Sequence, residues 1–439
     1  MVGNWFNAGL LSAIACLGTG CGGESKQPIY TAIVDAGSSG TRMYLYKVVP
    51  GSYPVVEHLL EQEYDAAENG IDEFINGQGG VTGDMGPDQV GPYVIGPLLN
   101  AIKPKLQALS VAPRDVLVEV LATAGMRTEE IRNGGSHTDE NIAQFYDGIK
   151  TYITHQGFPV GDVRTTDGNS EEGKWSWINL NDKYRHAFTT QESPVGVVEV
   201  GGSSVQVTYP THTTPAPGNH VYPVTIGGKI FFVFSKTYPG LGQDEARKAM
   251  RTAGYPDAYT GGTDCFPMGM TTAEDKGDLN IRVSPQTVLP VVKLRTAGGD
   301  ATSAAYRFEA CSNTFNSIIA NTIESLGDPQ IENSSGHFYG INSAFYAYET
   351  FGIHEGDISA ELLAEKTQDM CADKSNFDLT KGFSRNQCAS ATYINALTYG
   401  PSGLFANAPD AFVKVVPTKS AGATVLSWTR GYLMNKHGQ

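Results

Sequence analysis

Two short Gly/Ser turns carry the residues best suited to chemistry. One lies in DAGSSGTR and begins with Asp35, and the other lies in EVGGSS and begins with Glu199. Glycine lets a backbone approach a ligand closely, and consecutive backbone N–H groups form a concave nest that binds an anion. Serine and threonine hydroxyl groups add donors, while Arg42 and Arg127 add permanent positive charge. This composition predicts a site for phosphate groups.

The two acids end similar strand-like runs, TAIVDAGSSGTRMYLY and VGVVEVGGSSVQVTY. The repeat predicts a duplicated hairpin in which Asp35 and Glu199 face one cleft. Two carboxylates would repel phosphate oxygens unless a hard divalent cation lay between them. We therefore expect a divalent cation near these acids, held through its water ligands. The alternative is that each carboxylate only caps its own turn.

A further acidic pair lies in the polar segment 167–173, which we expect to be a loop. Glu172 precedes Gly173 and the Trp-containing run KWSWINL. A partly buried neighbour can orient this carboxylate while water still reaches it, which suits a general base. The alternative is that the acidic pair belongs to an ordinary solvent-exposed loop and has no catalytic role. No Ser-His-Asp or Cys-His pattern stands out, and the histidines show no HExxH spacing, so we expect no zinc site.

The elements that must position these residues alternate between strands and helices, which predicts an α/β fold. Apolar runs rich in β-branched residues predict strands at 30–34, 42–49, 115–122, 195–200 and 205–209. Helices are expected at 90–109 (interrupted by Pro97 and Pro104), from 128, and at 141–154, 243–253, 310–326, 387–397 and 423–435. The Gly- and Asp-rich stretch 66–95 is expected to be mostly loop.

Charge and hydropathy limit the partners. The 439 residues carry a net charge of −15 and no long basic run, so we expect no nucleic-acid binding. No apolar stretch reaches 18 residues, so we expect no transmembrane span. Residues 8–17 form a short apolar run followed by small residues, which resembles a secretory leader. We expect an exported protein, either secreted, periplasmic or lipid-anchored, with Cys16 or Cys21 as the anchor site.

Four further cysteines lie in the second half of the chain: Cys265, Cys311, Cys371 and Cys388. In an exported chain, four such cysteines predict two disulfides, and three pairings are open. Sequential pairing is the local choice. The alternative is four buried free thiols in a cytosolic protein.

Taken in order, the motifs resemble those of the apyrases, the nucleoside triphosphate diphosphohydrolases. The matching segments are IVDAGSSGTRMYLY, ATAGMR, EEGKWSWINLN, VEVGGSSVQVTY, GLGQDEAR, SAFY and SWTRGYL. The resemblance implies an actin-like fold of two ribonuclease-H-like lobes with the active site in the cleft between them. We expect a leader at 1–28, lobe I at 29–165 and 415–439, and lobe II at 166–414. Two family disulfides resemble the sequential pairing.

The resemblance also implies residue roles in the hydrolysis of terminal phosphates of nucleoside tri- and diphosphates. Glu172 activates water, Ser204 and Gln206 position it, and Asp35 and Glu199 hold Ca²⁺ or Mg²⁺ through water. The implied phosphate-binding residues are Gly37, Ser38, Ser39, Gly40, Thr41, Arg42, Thr123, Arg127, Gly202 and Ser203. The implied nucleoside-binding residues are Arg247 and Tyr346.

The chain departs from the family pattern at one acid. Glu199 stands where aspartate is usual, and its extra methylene moves the carboxylate by about 1.5 Å. Other interpretations are an exopolyphosphatase or guanosine-pentaphosphatase, a non-catalytic secreted nucleotide-binding protein, and a sugar kinase. The ATAGMR motif and the leader favour the apyrase interpretation over a polyphosphatase. Intact Glu172, Ser204 and Gln206 favour an enzyme, and a water-activating glutamate does not suit a kinase.

Overall fold

The computed structural model of the chain describes residues 27–38, 40–64, 70–80, 84–127, 138–190, 192–252, 263–271, 274, 278–284, 287–292, 304–326, 337–353, 356–357, 359–407, 412–415 and 426–438. The strands are β1 (Ile29–Gly37), β2 (Gly40–Val49), β3 (Val55–Glu63), β4 (Val116–Ala122), β5 (Val160–Thr165), β6 (Gly196–Val200), β7 (Ser204–Pro210), β8 (Val221–Ile226), β9 (Lys229–Pro239), β10 (Asp278–Ser284), β11 (Thr287–Val292), β12 (His337–Asn342), β13 (Gly356–Asp357) and β14 (Phe412–Val415). The helices are α1 (Asp72–Ile75), α2 (Gly96–Ala108), α3 (Asp139–His155), α4 (Gly173–Asn179), α5 (Gln243–Thr252), α6 (Phe308–Leu326), α7 (Ser343–Glu349), α8 (Ala360–Cys371), α9 (Gly382–Arg385), α10 (Gln387–Tyr399) and α11 (Trp428–His437).

The first sheet has the strand order β3-β2-β1-β4-β5. Strands β1, β2 and β3 are antiparallel neighbours, whereas β1, β4 and β5 run parallel. The first predicted hairpin is confirmed, because Gly37 pairs with Gly40 across the turn. The same register places Asp35 opposite Arg42 at the end of the sheet where the parallel strands finish.

The second sheet repeats this plan. Its order is β13-β14-β12-β6-β7-β9-β8, and the central part β9-β7-β6-β12-β14 has the same order and strand directions as the first sheet. Strands β8 and β13 extend its edges. The predicted α/β class and the duplicated hairpin are therefore confirmed, and Glu199 on β6 takes the place that Asp35 has on β1.

Helices cover both sheets and also separate them. Helices α2 and α3 pack on the outer face of the first sheet, and α5, α6, α7, α8 and α10 pack on the outer face of the second. Between the sheets, α4 and α11 share a core with inward-facing side chains of both. These two helices approach closely at Gly431, where any Cβ atom would collide with the backbone carbonyl of Trp175. Since both faces of each sheet are covered, the central strands are apolar on both sides.

Several local expectations need correction. The described part of the stretch 66–95, which was expected to be mostly loop, contains α1, and its last residues form a π-helical turn at Gly91–Ile95 that runs into α2 as part of the helix expected from residue 90. Pro97 and Pro104 do not interrupt this helix. Pro97 lies in the first turn of α2, where proline is tolerated, and burial of the apolar face of α2 offsets the hydrogen bond that Pro104 lacks. The segment 167–173 is also not a loop, because Gly168–Glu172 forms a π-helical turn continuous with α4.

Other helices are placed close to their predicted bounds, as for α3, α5, α6 and α10. The helix expected from residue 128 lies outside the described residues, as does the predicted start of the last helix at 423–425. The leader with Cys16 and Cys21 lies outside them as well. Within the described part of the chain, no helix has the length and apolar character needed to cross a bilayer. The lobe boundaries stay a prediction.

The structure contains two disulfides in the second half of the chain, Cys265–Cys311 and Cys371–Cys388. The sequential pairing is therefore confirmed. All four cysteines are buried in the core that covers the outer face of the second sheet. The bridges tie α6 and α10 to their neighbouring segments, so they stabilise the helical layer on that face.

Loss of either bridge should lower the free energy of unfolding. The sequence separations of 46 and 17 residues correspond to about 4 kcal/mol for Cys265–Cys311 and about 3 kcal/mol for Cys371–Cys388, from loop-closure entropy. Urea unfolding of the paired Cys→Ser variants under non-reducing conditions measures both values. A double variant as stable as the wild-type chain would contradict the expected contribution of its bridge.

Candidate active site

A cavity of about 270 Å³ lies where the two hairpins meet. The ends of β1 and β4 reach it from one sheet, and those of β6 and β12 reach it from the other. Ligands commonly bind outside the carboxyl ends of parallel strands in α/β proteins. Of the residues expected to form the site, those that line the cavity are Asp35, Gly37, Ser38, Arg42, Thr123, Glu172, Glu199, Gly202, Ser204 and Tyr346.

Glu172 reaches the cavity from the π-helical turn before α4. Wide π-helical turns of this kind occur frequently at functional sites. A Cβ atom at Gly173 would lie 2.8 Å from both Ser235 Oγ and Thr208 Oγ1, so glycine at this position lets the turn pack against the second sheet. Glu172 is only 6% exposed, and its Oε2 accepts a hydrogen bond from Arg127 Nη2 at 2.5 Å. The carboxylate is therefore firmly oriented.

Ser204 and Gln206 lie on the same face of β7 because they are two residues apart. Gln206 Nε2 donates to Ser204 Oγ at 2.7 Å and to Glu172 Oε2 at 3.3 Å. Arg127 Nη2 is 3.4 Å from Ser204 Oγ. The structure thus brings the three residues expected to activate and position water into one hydrogen-bonded group, with Arg127 as a shared donor.

Asp35 is half-buried at the floor of the cavity. Desolvation raises the pKa of Asp35 to about 7, although the Arg42 guanidinium acts in the opposite direction. The Glu172 carboxylate raises this pKa further, and a hydrogen bond from Trp428 lowers it. The charged form of Asp35 is therefore disfavoured chiefly because the carboxylate has lost its hydration.

Glu199 is 3% exposed and has a similar environment. Desolvation raises its pKa to about 8, and the Glu172 carboxylate adds to the effect. Ser176 Oγ donates to Glu199 Oε2, and Asn342 Nδ2 donates to Glu199 Oε1 at 2.6 Å. The carboxylates of Asp35 and Glu199 supply the hard oxygen donors that Ca²⁺ and Mg²⁺ prefer, so these residues fit a divalent cation. The described residues contain no group of three or more His, Cys, Asp or Glu side chains arranged to bind a metal ion directly.

Some expected site residues lie elsewhere. Thr41 alternates with Arg42 on β2, and its side chain is buried in the core. Arg42 lines the cavity but also forms an ion pair with Glu63, with 2.5 Å between Nη2 and Oε1. Arg247 is ion-paired with Asp244 on its own helix and does not line the cavity, whereas Tyr346 lines it with 43% of its surface exposed.

Gly40 and Ser203 belong to the two turns but do not line the cavity, and Ser39 lies outside the described residues. Nine of the residues that line the cavity were not among the expected site residues: Tyr44, Ala124, Val200, Gly201, Asn342, Ser343, Leu426, Ser427 and Trp428. Ser343 begins the SAFY motif and Trp428 lies within the SWTRGYL motif, so these motifs could have identified both residues. Ser176 supports the site from one helical turn beyond Glu172, but no sequence signal marked Asn342.

The comparison with known families agrees with this geometry. Residues 23–399 match the sequence model of the GDA1/CD39 (nucleoside phosphatase) family. The chain belongs to this family. It is therefore a hydrolase of nucleotide phosphates, and the resemblance to the apyrases is confirmed at the family level.

Individual relatives are distant in sequence. A nucleoside-triphosphatase of Caenorhabditis elegans is 24% identical over 84% of this chain and 64% of its own length. A nucleoside diphosphate phosphatase of Homo sapiens is 23% identical over 90% of this chain and 84% of its own length. The chain thus spans slightly less than two thirds of the nematode protein. A crystal structure of nucleoside triphosphate hydrolases from Neospora caninum superposes with a TM-score of 0.55 at 13% identity, covering 93% of both chains, which supports the two-lobed actin-like fold.

The raised pKa of Asp35 should make the metal-free protein less stable as pH rises. An acid whose pKa is higher in the folded state binds protons more tightly there, so its contribution is full below about pH 4 and is lost as pH rises to about 7. Asp35→Asn removes the buried charge and should be more stable than wild type at pH 8, by at most about 4 kcal/mol.

Thermal unfolding in excess chelator between pH 4 and pH 8 measures this difference. The advantage of Asp35→Asn should shrink steadily towards pH 4. Identical pH profiles for the variant and the wild-type chain would show that the Asp35 carboxylate is not held in a charge-disfavouring environment.

Proposed function

We propose that this chain is a divalent-cation-dependent nucleoside triphosphate diphosphohydrolase that converts nucleoside triphosphates to diphosphates and then to monophosphates. The observation that carries the proposal is the convergence at one cavity of Glu172 with two Gly/Ser turns, each preceded by an acid that lines the same cavity. The turns suit a chain of phosphates, and the glutamate suits the activation of water. The nucleotide-hydrolysing relatives support the same conclusion.

Glu172 is the general base in this proposal. Water attacks the terminal phosphorus, its proton passes to a Glu172 oxygen, and the bond to the bridging oxygen breaks to release the shorter nucleotide. Arg127 and Gln206 hold Oε2 of Glu172, which leaves Oε1 available to the water. Ser204 and Gln206 lie beside this carboxylate and orient the water by hydrogen bonds. A positioned base of this kind contributes about 10²–10⁴ in rate.

The phosphate chain lies along the two turns in this proposal. Backbone N–H groups near Gly37 and Gly202, together with the Ser38 and Thr123 hydroxyl groups, donate to phosphate oxygens. Two unit charges of the same sign 4 Å apart repel by about 4 kcal/mol at an effective dielectric constant near 20. Asp35 and Glu199 would hold a divalent cation, Ca²⁺ or Mg²⁺, through its water ligands, and such an ion would supply the neutralising charge and polarise a phosphate oxygen.

The nucleoside is proposed to lie at the mouth of the cavity. Tyr346 is the cavity residue whose ring is substantially exposed, so it offers a face on which a base can stack. Arg247 lies in the second expected nucleoside motif but is engaged by Asp244. We assign the first contact with the base to Tyr346 on this ground.

We further propose that the protein is exported. Disulfides persist in oxidising compartments, and this chain has two. The apolar run at residues 8–17 supports a leader. A lipid anchor at Cys16 or Cys21 remains a prediction from the sequence.

Replacement of Glu172 by glutamine tests the general base. Glu172→Gln keeps the shape of the side chain but cannot accept the proton, so kcat should fall by about 10²–10⁴ while nucleotide affinity stays near wild type. Steady-state phosphate release and equilibrium binding of a non-hydrolysable triphosphate analogue measure the two quantities.

The adjacent acid offers a matched control. Glu171 is paired with Arg164 through two hydrogen bonds of 2.7 and 2.8 Å and does not line the cavity. Glu171→Gln should therefore reduce kcat much less than Glu172→Gln. Near-normal turnover in Glu172→Gln, or an equal loss in both variants, would reject the assignment.

The substrate class and the cation are tested together by a panel of ATP, ADP, AMP and polyphosphate. We expect phosphate release from ATP and ADP, with little from AMP or polyphosphate. Excess chelator should abolish the activity, because the phosphate charges then repel the Asp35 and Glu199 carboxylates without a cation between them. Added Ca²⁺ or Mg²⁺ should restore it. Full activity in chelator would refute the cation, and preference for polyphosphate would favour an exopolyphosphatase.

A further inference from the structure

The junction between β12 and α7 has an unusual backbone. Asn342 ends β12 and has φ 59° and ψ −124°, while Ser343 begins α7 directly after it. Residues with a Cβ atom rarely adopt this conformation, so the backbone at Asn342 is strained. Strained strand-to-helix turns of this kind project a side chain above the edge of a sheet, where it can reach a site.

The strain places the Asn342 amide on Glu199. Strands β12 and β6 pair in parallel, with Ile341 beside Glu199 and Asn342 beside Val200. Asn342 therefore lies one position beyond Glu199 along the sheet, and Nδ2 donates to Glu199 Oε1 at 2.6 Å. Asn342 also lines the cavity itself.

Both oxygens of Glu199 are held from different elements. Ser176 on α4 donates to Oε2, and Asn342 donates to Oε1. Glutamate has one more rotatable bond than aspartate, so a free Glu199 carboxylate would sample several positions and lose side-chain entropy on binding a cation. The two donors remove that freedom before any ligand arrives.

We propose that Asn342 is a positioning residue that fixes Glu199 for cation binding. This inference rests on the cation role in the proposed function, and it explains why the chain retains a strained non-glycine residue at this turn. Hydrogen-bond partners of metal-holding groups typically change metal affinity by about 10–100-fold when they are lost.

The experiment measures Tb³⁺ binding to the full chain without nucleotide. Tb³⁺ is a hard, oxygen-seeking stand-in for Ca²⁺, and Trp428 lines the cavity and can sensitise its luminescence. Asn342→Gly removes the amide but suits the backbone, so the fold is retained. We expect Tb³⁺ affinity to fall at least about 10-fold. In the same samples, the Tm in chelator should stay equal or rise by about 2–5 °C, because the backbone strain is relieved.

The control variants separate this role from a general effect of strain. Ser110 also has a positive φ, 56°, but is exposed and does not line the cavity, so Ser110→Gly should leave Tb³⁺ affinity unchanged. Glu199→Asp shortens the side chain out of reach of the amide. In that background, the addition of Asn342→Gly should change Tb³⁺ affinity by less than about 2-fold. The difference between this small effect and the larger effect in the wild-type background is the coupling energy of a double-mutant cycle.

The outcomes distinguish the two levels of the proposal. If Glu199→Gln weakens Tb³⁺ binding but Asn342→Gly does not, the positioning role is wrong and the cation role stands. If the wild-type chain binds no Tb³⁺, or Glu199→Gln binds it normally, the cation role fails and this inference fails with it. An equal loss of affinity from Asn342→Gly in the wild-type and Glu199→Asp backgrounds would also overturn the positioning role.

Discussion

Three carboxylates share one cavity, and the rest of the site is organised around their mutual repulsion. Desolvation raises the pKa of both Asp35 and Glu199, and the Glu172 carboxylate raises both further, so the three charges influence one another through a poorly solvated space. A group of this kind is unfavourable for folding unless each member gains a compensating interaction. The site solves this by giving every carboxylate at least one donor from another part of the chain.

The donors come from elements that otherwise have little in common. Arg127 follows β4, Ser176 lies on α4, and Trp428 begins α11. The repeated strand order brings the acids to one edge, while the helices between the sheets supply the groups that hold them. Helix α4 does this twice, since it continues from the turn that carries Glu172 and also carries Ser176. It is fixed to α11 by the stacked rings of Trp175 and Trp428, whose centroids are 5.7 Å apart.

Much of this arrangement could be predicted from the sequence because it depends on local patterns. Apolar, β-branched runs ended by Gly/Ser turns indicated both hairpins, and the repeat of the pattern indicated that Asp35 and Glu199 are equivalent. The cysteine pairing was correct because the sequential pairing also closes the shortest loops. The resemblance to the apyrase motifs predicted that Glu172, Ser204 and Gln206 act together, and the structure places their side chains in one hydrogen-bonded group.

The features that could not be predicted from the sequence depend on tertiary contacts, which hydrophobic periodicity does not encode. The π-helical turn at Gly168–Glu172 contains polar residues typical of loops, and it is held by the Asp167 cap at its start and by close packing against the second sheet. Pro104 lies inside α2 because burial of the helix outweighs one missing hydrogen bond. Asn342 reaches Glu199 through a backbone conformation that local sequence preference disfavours, so its role becomes visible only when β12 and β6 are seen side by side.

The position of α11 also has a consequence for the order of events during synthesis. Asp35 is translated long before the indole that donates to it, which belongs to residue 428. Arg430 then pairs with Asp182 at 2.6 Å, and Tyr432 donates to the buried Glu119 at 2.9 Å. A nascent polypeptide emerging from the ribosome can form both hairpins and still lack these contacts of α11 between the sheets. Completion of the candidate site therefore waits until the segment that forms α11 has been translated, which keeps shorter nascent chains from holding the site in its final form.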